Sequence, residues 1–152
     1  MRARVIVWLS AFATTWLFGA GASRADPPQK GVLSVRLTDL RNDTGRVGCS
    51  LHASEKGFPK DLGAAAQTKW CSIASRTSSC SFDPIPAGTY AVACFHDEND
   101  NGKLDTNFIG IPKEGVAVSN DAKGTLGPPS FKDAKLVFPG TATEIRVKVK
   151  YL

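Results

Sequence analysis

Residues His96 to Asn107, "HDENDNGKLDTN", gather four carboxylates, Asp97, Glu98, Asp100 and Asp105, around Gly102. With Asp97 as the first position of a calcium loop, Asn99 and Asn101 take the third and fifth. Gly102 then takes the sixth, where a sharp turn needs a positive φ. The Lys103 carbonyl takes the seventh, the apolar Leu104 the eighth and Asp105 the ninth. Alternate residues of a tight loop aim their oxygens at one centre, and a hard cation needs several such oxygens. The spacing therefore makes Asp97, Asn99, Asn101, Lys103 and Asp105 candidate calcium ligands. Phe108 stands at the twelfth position, where an EF-hand carries a bidentate Glu. Water or Glu114 would have to complete such a site. The competing reading is a polar turn, in which Asn and Asp side chains cap their own backbone and Gly102 supplies the bend.

Acid–base chemistry is disfavoured at the same residues. His96 and Asp97 are adjacent in an apparent strand, so their side chains point to opposite faces. The other mature-chain histidine, His52, has the solvent phase of its strand, whereas His96 has the core phase. No serine lies in a G-x-S-x-G elbow. Carboxylate pairs such as Asp97 or Glu98 with Asp105 are too common to imply hydrolysis. The expectation is a protein that is not an enzyme, with His96 hydrogen-bonded at a strand end.

The elements that must position these residues alternate with period two, and helical periodicity is nearly absent. "LSVRL" sends Leu33, Val35 and Leu37 to one face, and "VGCSLHA" groups Val47, Cys49 and Leu51. "TYAVACFH" groups Tyr90, Val92, Cys94 and His96. In "EIRVKVKYL", Ile145, Val147, Val149 and Tyr151 face inward, while Arg146, Lys148 and Lys150 face outward as a solvated row or guarded edge. Weaker strand patterns cover "AQTKWCSI", "SCSF", "GVAVS" and "AKLVF", with Trp70 half-buried, and a short helix is predicted near Asp61 to Ala66. Turn residues separate these runs. The fold class is all-β: a single antiparallel β-sandwich of seven or eight short strands. Asp97 to Asp133, rich in glycine, reads as a long irregular excursion from one end. Phe108 and Ile109 are expected to fold that excursion back on the domain.

The chain opens "MRARVIVWLSAFATTWLFGAGASRADPP". Arg2 and Arg4 precede an apolar run from Val5 to Ala22, and Ser23 and Ala25 suit a cut before Asp26. This is the layout of a signal peptide over residues 1–25, with an uncleaved anchor as its rival. Removing it lowers the net charge from +5 to +2, with 16 basic against 14 acidic residues. Such a balance argues against nucleic acid as a partner, and no membrane insertion is expected after cleavage. The remaining 26–152 is one domain, periplasmic or secreted. Its four cysteines, with no C-x-x-C pair, imply two disulfides rather than zinc. A hairpin with loop residues 74–77 sets Cys71 opposite Cys80, leaving Cys49 to pair with Cys94 on inward phases.

The motifs "P-x-G-x-Y" at Pro86, Gly88 and Tyr90, and "HDEN-x-NG-x-LD" at His96 to Asp105, carry a resemblance. Together with "GPPSFKDAKLVF", they make residues 31–151 resemble a secreted bacterial family, domain of unknown function 2141. The similarity is strongest from Pro84 to Phe138. The resemblance implies a small sandwich of the prealbumin or carboxypeptidase-regulatory type and carries over no catalytic residue. The four cysteines and segment 55–77 depart from the family pattern. Two functional expectations follow. One is an exported module whose calcium loop orders a surface for an envelope partner, either a protein or a small ligand. The other is a metal-independent binding module using residues 106–133, or a purely structural envelope protein.

Overall fold

The computed structural model describes residues 29–152; the expected signal segment and its cut lie outside the described residues. Eleven strands follow one another: β1 (Lys30–Gly31), β2 (Leu33–Thr38), β3 (Arg46–His52), β4 (Gln67–Cys71), β5 (Ile73–Ala74), β6 (Thr77–Ser81), β7 (Ile85–Pro86), β8 (Gly88–Asp97), β9 (Val116–Val118), β10 (Leu136–Phe138) and β11 (Thr143–Lys148). Eight have three residues or more, in keeping with the seven or eight expected. Among the described residues the helical content is one turn of α-helix, α1 (Phe131–Ala134), and two 3-10 turns. The helix expected near Asp61 is the turn Leu62–Ala64, capped by Asp61 Oδ1 accepting from the Gly63 N–H at 2.8 Å.

One sheet runs β11-β2-β6-β5 and the other β10-β8-β3-β4, with β9 beside β8; β1 and β7 form a short separate pair. Leu33, Val35, Leu37, Cys80 and Val147 of the first sheet meet Val47, Cys49, Leu51, Val92 and Phe138 of the second in one core. Burial of these side chains is the main force holding the sandwich closed. The expectation of an antiparallel sandwich needs one correction, because β11 and β2 pair in parallel, Thr143 opposite Leu33 through Lys148 opposite Thr38. A parallel pair requires a long crossover, and here the whole second sheet intervenes in the chain. Beyond β11, Val116 and Lys150 bridge through paired backbone bonds of 2.8 Å, which ties the two sheets along one margin.

A second correction concerns β3 and β8. Period-two alternation would leave one face of each in solvent, yet Val47 to His52 and Tyr90 to Asp97 are buried throughout. His52, expected on the solvent side, is only 1% exposed. The cause is a third, irregular layer over the outer face of this sheet. Phe58 packs edge-on against His52 with centroids 5.3 Å apart, and Phe131 packs against Phe58 at 5.8 Å. A strand covered on both faces reads as a near-continuous apolar run, which is what "AVACF" is.

Both disulfides pair as expected, Cys49–Cys94 and Cys71–Cys80. Cys49 and Cys94 are direct neighbours across β3 and β8. The hairpin turn is narrower than the expected residues 74–77, since Ala74 and Thr77 themselves pair and Ser75 and Arg76 make the turn with positive φ. Cys71 belongs to β4 and Cys80 to β6, so this bridge staples one sheet to the other.

Candidate functional site

At the end of β8 the chain delivers His96 and Asp97 to the same margin of the sandwich with opposite facing. His96 is fully buried, and both ring nitrogens are engaged. Nε2 donates to the Thr44 carbonyl at 2.7 Å, so Nδ1 accepts from the Tyr151 hydroxyl at 2.7 Å. That hydroxyl in turn accepts from the Arg41 N–H at 3.0 Å. Burial pushes the Tyr151 phenol up, and Glu98 adds to this while Arg41 opposes it. Arg41 pairs with Glu98 at 2.6 Å, and this hydrogen-bonded carboxylate holds the guanidinium above its ordinary range. His96 is thus the hydrogen-bonded strand-end residue the sequence predicts.

Asp97, also fully buried, organises the acidic loop. Its Oδ1 accepts from the Asn101 N–H at 2.9 Å, and its Oδ2 from the Gly102 N–H at 2.8 Å and from Arg46 Nε at 3.3 Å. Gly102 has φ +81°, the conformation the loop pattern requires of it. Asn99 Oδ1 accepts from the Asn101 N–H and Asn101 Oδ1 from the Lys103 N–H. Those bonds turn both amide nitrogens toward Asp105, at 2.7 Å for Asn99 and at 3.1 and 3.2 Å for Asn101. Asp97, Asn99, Asn101, Lys103 and Asp105 are therefore brought into one hydrogen-bonded knot. Among the described residues no three His, Cys, Asp or Glu side chains are grouped so as to hold a metal.

Two further residues complete the loop, Arg46, which carries little signal in the sequence, and Glu114, which the sequence offers as a completing group. Arg46 lies one strand away, opposite Asp97 in the β3–β8 register, and pairs with Asp100 at 2.7 Å while its guanidinium lies 4.1 Å from the Trp70 ring centre. Trp70, expected half-buried, is instead exposed at 38%, one face covered by Arg46 and its edge by Phe95. Glu114, buried just before β9, closes the loop with Oε1 accepting from the Glu98 N–H and Oε2 from the Asp105 N–H, both at 2.9 Å.

From this knot the chain runs outward and back as a lip. Asn107 Oδ1 accepts from the N–H groups of Ile109 and Ile111, and Gly110 has φ +81°. Phe108 and Ile109 do not fold back on the domain: they are 99% and 64% exposed. The Asn107 turn spends its hydrogen bonds within the lip and leaves Phe108 projecting into solvent. Farther on, Ser119 pins the returning chain, its Oγ accepting from the Val92 N–H at 2.9 Å and donating to the Ala134 carbonyl at 2.6 Å.

Between residues 103–129 and the outer face of the β3–β8–β9 sheet lies an open groove of about 1320 Å³. Ala93, Phe95, Val116 and Val118 line it from the sheet, Ile109 and Leu126 from the excursion. Ala93 and Phe95 form the floor of the groove, only 8% and 7% exposed, while Val116 and Val118 beside them are more open. Neither histidine lines the groove. His52 Nε2 donates to Ser50 Oγ at 3.1 Å, since that hydroxyl itself donates to the Ala93 carbonyl at 3.2 Å. Burial lowers the His52 pKa, an effect that Asp61 partly offsets.

The model of the family described as "Uncharacterized protein conserved in bacteria (DUF2141)" matches residues 35–146, which include every strand from β3 to β10, the acidic loop and the groove lining apart from Lys148, Lys150 and Leu152. No curated protein and no solved structure matches.

Proposed function

The chain belongs to the bacterial family DUF2141, and from that premise we propose that it is an exported, non-catalytic β-sandwich module that holds a ligand in the groove beside residues 103–129. The groove carries this reading: a concave, mainly apolar cleft set on a rigid sheet is the common form of a ligand site. Export is supported by the signal-like N-terminus and by two disulfides, which form in oxidising compartments. The prealbumin or carboxypeptidase-regulatory likeness remains part of the proposal, supported by two facing sheets. The acidic loop anchors the excursion at one end and Ser119 at the other. A neutral apolar dye such as N-phenylnaphthylamine tests the site. One saturable class of sites is expected, weakened about tenfold, or ~1.4 kcal/mol, in Val118→Phe, which adds bulk at the groove wall. An absent signal, or an unchanged one in the variant, overturns the reading.

A second reading keeps calcium in the acidic loop. It is favoured by the gathering of Asp97, Asp105, Asn99 and Asn101 around one bend, with the Glu114 carboxylate at its neck. Binding would require the Asn99 and Asn101 amides to rotate their oxygens inward and give up bonds to the backbone, so affinity is modest. At a Kd near ~1 mM, 10 mM calcium stabilises by about 1.4 kcal/mol, a melt shift of a few degrees. Asp97→Asn with Asp105→Asn should remove that shift. No heat and no shift at that concentration would eliminate calcium from the function.

A further inference from the structure

We infer that the groove takes a monomeric anionic amphiphile, one acyl chain with a charged head, an inference that rests on the groove reading above. Two features of the lining, independent of each other, point to this class. The first is the apolar surface formed by Ala93, Phe95, Val116 and Val118 with the excursion, which suits a hydrocarbon chain.

The second feature is charge. Five lysines line the groove, Lys60, Lys103, Lys123, Lys148 and Lys150, against a single carboxylate side chain, Asp121. That carboxylate is already used, since Asp121 Oδ1 accepts from the Lys148 N–H at 2.9 Å. Lys150 is held toward the same segment, its Nζ donating to the Asp121 carbonyl at 3.3 Å. The remaining lysines come from three separate stretches: Lys60 before the 3-10 turn, Lys103 in the acidic loop and Lys123 after β9. With 16 basic and 14 acidic residues from Asp26 onward, the chain offers no general excess of positive charge to explain five to one here. No arginine lines the groove, so the cations act as point charges on flexible stems, suited to a head group of variable position rather than to a bidentate clamp. A concave cleft with apolar walls and a cationic rim matches a single amphiphile in both respects. A planar bilayer would meet the projecting Phe108 and Leu126 first and leave the recess unfilled.

Titration calorimetry of the mature protein with laurate, below its micelle concentration, and with dodecanol tests the assignment. Laurate is expected to bind about tenfold tighter than dodecanol at low salt, and the ratio should shrink at ~1 M salt, where charge is screened within about 3 Å. In Lys103→Gln with Lys123→Gln the two affinities should converge. Equal binding of laurate and dodecanol by the unaltered protein overturns the anionic assignment and leaves the groove reading standing. Absence of binding by both overturns the two together. Flotation with phosphatidylglycerol vesicles, if positive while laurate fails to bind, overturns the monomeric ligand in favour of a bilayer surface.

Discussion

At the scale of single residues, His52 shows how a local pattern is overridden by its surroundings. Its strand phase points away from the sandwich core, yet the ring lies buried beneath Phe58, with Nδ1 lacking a hydrogen-bond partner among the described residues. A proton on Nδ1 would place a charge there without an acceptor, which is why burial lowers the pKa below 6.5. The folded state therefore binds this proton less readily than the unfolded chain. The associated stability is fully present above about pH 6.5, and it is lost as pH falls from there through the lowered folded value. Thermal melts from pH 8 to pH 5 should show this acid-side decline. His52→Gln, which can retain a donor to Ser50, should flatten it. A variant with the same slope as the parent would exclude His52 as its source.

At the scale of elements, the two disulfides do different jobs. Cys49–Cys94 joins adjacent strands with a sequence separation of 45, and Cys71–Cys80 joins the two sheets with a separation of 9. In the chain-entropy model the longer closure stabilises by about 4 kcal/mol and the shorter by about 3 kcal/mol. Urea unfolding of the paired Ala variants should rank them in that order if loop closure dominates. A larger loss for Cys71→Ala with Cys80→Ala would mean that the staple between sheets matters more than the chain it closes. The hairpin register was legible in the sequence, because strands joined by a tight turn have little freedom in pairing. That Cys71 leaves this register for the opposite sheet was not legible, because β4 is recruited by β3, a partner distant in the chain.

For the whole molecule, the proposed export would set the working charge and the redox state together. The protein recovered from the exported fraction should begin at Asp26 by N-terminal sequencing and carry no free thiol. A start at Met1, or four titratable thiols, would contradict the export reading. The same scale governs the groove, since its lysines come from Lys60 to Lys150 and meet only through the tertiary fold.

What local chemistry dictates was readable in the chain itself. Alternation marked the strands, Asn-Gly and Asx spacing marked the Gly102 bend, and phase set His96 inward with Cys49 and Cys94 facing the core. These are short-range consequences of side-chain direction and backbone sterics. Tertiary structure alone decided the rest. It brought Arg46 to Asp97, paired β11 with β2 in parallel, buried His52 under a third layer, exposed Phe108, and collected five lysines around an apolar cleft. Each of these joins residues far apart in sequence, and their meeting depends on how sheets and loops stack to bury apolar surface. Periodicity along one strand carries no record of that stacking.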